Sequence, residues 1–234
     1  MLPCPGICLF FNFSPITING HPCPDVSIVG LHEDVHKLEG VTDSINTLII
    51  QCTPWGFHAL TSTPIHRFNN AVVHATEAFG ESILTLYVAL RDALQQHDRT
   101  QLLDQYFLAQ LKPVDAGYTA IAQIAGHLRT HPEPTSFAKI QGVSALPLGT
   151  RQMARRFKDI IGSDLQSYIR MCRFGLAKQL LFEDQDLSMT EVAYRAGYYD
   201  QAHFSKDFKT LSGTRASDFI PRCAFQNMEQ PTKS

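Results

Sequence analysis

The chain has 234 residues, 44% of them hydrophobic and 18% charged, with a formal net charge of -2. That is enough apolar material for a sizeable core, divided between two domains, and it excludes a disordered or fibrous chain. The net charge hides an asymmetry: residues 1–113 carry five Lys and Arg against ten Asp and Glu, and residues 114–234 carry fifteen against twelve. A modestly cationic second half points to a polyanionic partner. No apolar run approaches the ~18 residues that cross a bilayer, so no membrane partner is expected. "ICLFFNF" (Ile7 to Phe13) lacks a basic leader and a cleavage site, and the chain is read as soluble and cytoplasmic.

The first elements are strands. "ICLFFNF", "DVSIVGL" and "INTLIIQC" have strand length and β-branched content, divided by Pro and Asn-Gly turn signals, and predict an antiparallel sheet. Cys4, Cys8, His21 and Cys23 in the same stretch invite a zinc reading, but their spacing fits no tight ligand template and small buried thiols are the simpler account, so no metal is assigned. Cys52, Cys172 and Cys223 fall singly, unlike a secreted disulfide framework, and a reducing compartment fits better.

From about Ser82 the apolar spacing changes to three and four. The pattern predicts helices over Ser82 to His97 and over Thr100 to Lys112. The division expected is residues 1–113 (β-rich 1–53, helical 54–113), an all-helical unit over 114–222 that follows "KPVD", and a tail over 223–234. The two apolar helices of the acidic half point to a homodimer, or else pack on the sheet within one chain. Later turns supply helix N-caps in "THPEPTS", "GSD" and "DQDLS".

"LGTRQMARRFKDIIG" (Leu148 to Gly162) superposes on "YDQAHFSKDFKTLSG" (Tyr199 to Gly213) with a constant offset of 51 residues, an internal repeat. At about 100° per residue, Met153, Phe157 and Ile160 share one sector of the first copy, and Phe204, Phe208 and Leu211 share the same sector of the second. The opposite sector holds Arg151, Arg155 and Lys158 in one copy and Ala202, Lys206 and Lys209 in the other, with His203 at its edge. Upstream of the second copy, "LSMTEVAYRAG" predicts a short helix capped by Ser188 and turned by Gly197, which completes a helix-turn-helix. Between the copies Leu165, Ile169, Cys172, Leu176 and Leu180 form one long apolar stripe, a rod of about 28 Å. Such a rod can hold two reading heads near the ~34 Å repeat of successive major grooves.

On these motifs, residues from about Ala116 to Pro221 resemble the DNA-binding domain of the AraC/XylS family of transcriptional regulators, two helix-turn-helix units joined by a linker helix. "SMTEVAYRAGYYDQAHFSKDFKTLSG" followed by "TRASDF" is close to the family signature. The first unit departs from it, with Gly142 where a helix former is usual and Pro147 and Gly149 around the turn. The resemblance places base-reading positions on Arg151, Ala154, Arg155, Ala202, His203 and Lys206. Of these, Arg151 or Arg155 can grip a guanine edge bidentately, worth about 1–3 kcal/mol of discrimination. Lys158, Arg195, Lys209 and Arg215 are placed for phosphate contacts, or are solvated surface charges.

The N-terminal part is similar, less specifically, to the cupin-like sensory region that precedes such domains, with the match beginning inside that region. It is a shortened sensor, a chain with a misplaced start, or a domain that encloses no pocket. The fold class expected is α+β, a cupin-like partial sheet with helices and then an all-α double helix-turn-helix. Trp55, Phe57, His58 and His66 are the candidates to line an effector site, against ordinary packed or surface roles. The resemblance implies double-stranded DNA as partner, RNA polymerase as the downstream contact and no cofactor apart from a small-molecule effector. An enzyme of the related DNA-repair alkyltransferase type needs a Pro-Cys-His-Arg run, and "PCP" at Pro22 to Pro24 lacks the His and Arg. A DNA-free protein-interaction module with a degenerate first head is the remaining alternative.

Overall fold

The computed structural model describes residues 1–41, 45–93, 95–143, 149–184 and 186–219. The described residues hold seven strands, all but one before residue 53: β1 (Ile7–Asn12), β2 (Ile16–Ile18), β3 (His21–Pro22), β4 (Val26–Val29), β5 (Leu38–Gly40), β6 (Thr47–Cys52) and β7 (Val72–His74). They form two antiparallel sheets, one of order β6-β1-β4-β7 and one of order β3-β2-β5. Strand β1 pairs with β6 from Ile7 opposite Cys52 to Asn12 opposite Thr47, and with β4 from Cys8 opposite Val29 to Phe11 opposite Val26.

Every residue of β1 is buried. Its alternate side chains serve two cores: Ile7, Leu9 and Phe11 face the cluster that the helices cover, and Cys8 and Phe10 face Ile16, Ile18 and Val29. Coverage on both faces is why "ICLFF" is continuously apolar rather than alternating. The β2–β3 hairpin turns at Asn19 and Gly20, with φ of 53° and 79°, the left-handed pair that Asn-Gly supplies at little cost.

The described residues hold ten α-helices, the first of them between β6 and β7: α1 (Pro54–Thr61), α2 (Thr76–Phe79), α3 (Ser82–Asp92), α4 (Gln96–Gln110), α5 (Ala116–Thr130), α6 (Phe137–Val143), α7 (Thr150–Ile161), α8 (Leu165–Glu183), α9 (Met189–Arg195) and α10 (Gln201–Ser212), with a 3-10 helix at Ile65–Phe68. The sequence pattern ran one helix from Ser82 to His97. The chain instead leaves the helix at Ala93, whose ψ of 120° is extended. The break lets both helices use the same core, Ile83, Leu86 and Leu90 from α3 with Leu102, Leu103, Tyr106 and Phe107 from α4. Strand β7 also falls in the stretch expected to be helical, because Val72 and Val73 complete the edge of the sheet beside β4.

Helix α8 is where the cores meet. Met171 enters the cluster under the sheet, Tyr168, Ile169 and Cys172 enter one with α5 and α7, and Phe174, Ala177 and Leu181 enter one with α9 and α10. The predicted stripe is therefore only one of its apolar sides. Leu176 and Leu180 are partly buried while Met171, Phe174 and Ala177 are fully so, as suits a helix packed on several faces.

Candidate nucleic-acid interface

The two repeat copies become α7 and α10. Met153, Phe157 and Ile160 of α7 and Phe204, Phe208 and Leu211 of α10 are at most 3% exposed. On the far side of α7, Arg151, Ala154, Arg155 and Lys158 are exposed, as are Ala202, His203, Lys206 and Lys209 on α10. Both helices end on a left-handed glycine, Gly162 and Gly213, whose amide donates to the carbonyl of Lys158 or Lys209. Arg195 at the end of α9 and Arg215 beyond α10 are exposed too.

The second unit is closely specified. Ser188 and Glu191 form a reciprocal capping box on α9, and the Asp200 side chain accepts from the amide of His203 at the start of α10. Gly197 turns the chain between the two helices at φ 83°, and a Cβ there would stand 3.0 Å from the carbonyl oxygen of Pro132. In the first unit Ser136 accepts from the amide of Lys139. Helix α7, however, begins at Gly149, which has no side chain to cap with, at the position equivalent to Asp200. Pro147 and the turn before it lie outside the described residues.

Beyond the pattern, the repeat positions Arg156 and Asp207 both form ion pairs at the edge of the core sector. Arg156 Nη2 donates to both carboxylate oxygens of Asp115, the N-cap of α5, at 2.6 and 2.7 Å. Gly117 leaves the room, since a Cβ would lie 2.8 Å from Arg156 Nη1. Asp207, 7% exposed, accepts from Arg170 Nε of α8 at 2.5 Å and from the Tyr198 hydroxyl at 3.0 Å. Each recognition-type helix is thus fastened to the helix behind it by a charge pair, and Arg170 also reaches Glu33 at 3.0 Å. The Arg156 guanidinium beside Asp115 holds that carboxyl below its usual range. Burial pushes the Tyr198 hydroxyl up, and the neighbouring Asp207 pushes it further. Asp207 gave no sequence signal apart from sitting one turn from Phe204 in a cationic helix.

The other candidate set separates. Phe57 is fully buried, in edge contacts with Phe68 and Phe79, as part of the core under the sheet. Trp55 packs on the α5 core, and its carbonyl accepts from the Tyr118 hydroxyl at 2.7 Å. His58 lines a cleft of about 440 Å³ with Pro64, Gln152, Arg155, Arg156 and Asp159, between α1 and the flank of α7. His66 Nδ1 stands 3.5 Å from Asp159 Oδ1 at its margin. Among the described residues no group of three or more His, Cys, Asp or Glu is arranged to hold a metal, and no helix is long and apolar enough to cross a membrane.

A helix-turn-helix domain model matches residues 143–222. The transcriptional activator RhrA of Rhizobium meliloti (strain 1021) is 26% identical over 157 residues, covering 62% of this chain and 50% of RhrA. The chain therefore spans about half the length of that curated relative. Wild-type ToxT from Vibrio cholerae strain SCE256, solved with an unsaturated fatty acid bound, aligns over 93% of this chain and 87% of its own at TM-score 0.50 and 13% identity. A probable AraC family transcriptional regulator from Rhodopseudomonas palustris CGA009 aligns over 44% of this chain and 96% of its own at TM-score 0.38 and 19% identity. The matched domain model covers both recognition-type helices, α7 and α10, so residues 143–222 carry a helix-turn-helix domain.

Proposed function

We propose that the chain is a sequence-specific transcriptional regulator that reads two adjacent major grooves of double-stranded DNA with α7 and α10. The observation that carries this is the matched pair of exposed faces, Arg151, Ala154, Arg155 and Lys158 on one helix and Ala202, His203, Lys206 and Lys209 on the other, each opposite a buried apolar face. Residues 114–222 form the DNA-binding unit, and residues 1–113 the sensory unit. In this assignment Arg151 or Arg155 hydrogen-bonds a guanine edge, Lys206 does so more loosely, and Ala154 and Ala202 offer apolar contact. Lys158, Arg195, Lys209 and Arg215 meet phosphates and fix register. Bound in this way, the protein recruits or blocks RNA polymerase.

Arg155→Ala and Lys206→Ala test the assignment. Each is expected to lower affinity for a selected site by about 1–3 kcal/mol with circular dichroism unchanged. Unaltered affinity in both, with the fold intact, removes the two helices from the interface.

Control by a small molecule is supported by the cleft that His58 shares with Arg155 and Arg156. An anionic effector there would meet the guanidinium of Arg155, a base-reading candidate, beside Arg156, which is paired with Asp115, and opposite the Asp159 carboxylate. The similar ToxT structure holds an unsaturated fatty acid, which is the same ligand chemistry. For a homodimer, the apolar side chains left over on α3 and α4 are Val88, 44% exposed, and Leu108, 68% exposed. The rest of those helices' apolar stripes is used within the chain.

A further inference from the structure

The segment that joins β4 to β5 runs from the sheet to the ends of both recognition-type helices. Leu31 lies against Gly162, where α7 stops, since a Cβ on that glycine would stand 2.6 Å from Leu31 Cδ1. Val35 lies beside Gly213, where α10 stops, with 3.8 Å between Val35 Cγ2 and the place of a Cβ. Between them Glu33 pairs with Arg170 at 3.0 Å, and the same guanidinium holds Asp207 of α10. One short segment thus touches both helix-turn-helix units and the helix that joins them.

Two histidines set the shape of this segment. The rings of His32 and His36 stack with 3.9 Å between centroids and 13° between planes. His32 is 3% exposed and its Nδ1 meets the Asp34 carbonyl at 2.7 Å, so Nδ1 carries the proton of the neutral ring. Its Nε2 is buried without a hydrogen-bond partner, and so is Nδ1 of His36. A proton arriving at either nitrogen finds no acceptor, and charging both rings sets like charges face to face. The charged groups that face the pair are the Met1 amino group, which donates to the His36 carbonyl, and the Asp34 carboxylate, opposite in sign. Arg170 of α8 reaches the segment through Glu33. Burial lowers the His32 imidazole to about 4, in keeping with this geometry.

We propose that the stacked His32 and His36 are a proton-operated latch: with both rings neutral, residues 31–36 stay on the ends of α7 and α10, and protonation of the pair releases them from both. The sign follows from where the proton is accommodated. In the released segment His32 sits in water and charges near pH 6.5, whereas in the docked segment it charges only near 4. Docking is therefore at full strength above pH 6.5 and weakens as the pH falls, by about 30-fold at pH 5 for those two values. Release takes Leu31 from Gly162, Val35 from Gly213 and Glu33 from Arg170. His66, 3.5 Å from Asp159 of α7, is a second titratable contact at that helix, and its protonation would tighten the contact, the opposite sign. The latch concerns how residues 1–113 hold the two helices and does not depend on what the helices bind.

The test is amide hydrogen exchange of the full chain, followed by NMR at pH 7.5 and pH 5 with rates corrected for the intrinsic effect of pH. The reporters of the segment are the amides of His36 and Asn70, which donate to the carbonyls of Met1 and Leu31. Their protection is expected to fall about 30-fold at the lower pH, with the Gly162 and Gly213 amides following and the amides of β1 unchanged. His32→Asn is expected to abolish the fall. In the unsubstituted chain the His32 ring is expected to titrate well below pH 6, a reading that needs no variant to fold. The latch is overturned if segment protection ignores pH, if it falls equally in His32→Asn or in β1, if Gly162 and Gly213 stay protected while the segment opens, or if the His32 ring titrates near 6.5.

Discussion

Asp207 is the residue on which the second helix-turn-helix closes. It accepts from Arg170 and Tyr198 while its neighbours Lys206 and Lys209 face outward. Asp207→Asn leaves the Arg170 guanidinium with a weaker partner, and a loss of about 1–3 kcal/mol is expected in urea unfolding. The Arg170 side chain is 34% exposed, so water takes up part of its charge and the larger cost of a dry broken pair does not apply. Tyr198→Phe should cost less, since it removes one neutral donor. His32 carries a different prediction. It is 3% exposed and stacked on His36 at 3.9 Å, and its Nδ1 meets the Asp34 carbonyl at 2.7 Å. Burial lowers its pKa from 6.5 to about 4. The unfolded imidazole takes up a proton near pH 6.5 and the folded one only near 4, so stability is full above pH 6.5 and falls as the pH drops between those values. The loss approaches roughly 3 kcal/mol at its limit. His32→Asn should flatten that pH dependence, as measured by the urea midpoint at pH 7 and pH 5. Nothing in the local sequence marks His32 or Asp207, because each is decided by what the fold brings over it.

At the scale of elements, the two helix-turn-helix units are built with unequal care. The capping box of Ser188 and Glu191 starts α9, and Ser188→Ala should cost about 1 kcal/mol. Helix α7 starts at Gly149 in extended conformation, with nothing within 4 Å of where a Cβ would stand. Gly149→Ser should therefore add a few tenths of a kcal/mol, read as a shift of the urea midpoint in the opposite direction. The Ser188 cap was legible in the sequence because it rests on a neighbour three residues away. So were β1, β4, β6 and the outward and inward faces of α7 and α10, which follow from period alone. The end of α3 at Ala93 and the strand at Val72–His74 were not legible. Helical spacing continues through Ala93, and the turn is set by the shared core of α3 and α4. Val72 and Val73 are too few to signal a strand without the edge of β4 beside them. Of the effector candidates, Phe57 shows the same limit, since an aromatic residue in a core and one in a pocket look alike in sequence.

For the whole molecule, α8 ties the parts into one structure. It gives Met171 to the core under the sheet and Phe174 to the core of α9 and α10. It sends Arg170 to both Glu33 and Asp207. Asn69 adds a bond from its Nδ2 to the Gly162 carbonyl at the end of α7, 2.7 Å long. Residues 1–113 thus touch the same elements that hold α7 and α10. Helix α8, 19 residues and about 28 Å long, lies between the two repeat copies in the chain. The most direct test of this account is selection of bound sequences from a random duplex library with the full chain, followed by affinity titration of the recovered site at two salt concentrations. The account predicts a site with two motifs about one helical turn apart, with affinity that falls steeply as salt rises, because bound phosphates release counterions. Failure to enrich any sequence, or binding that ignores salt, would contradict it.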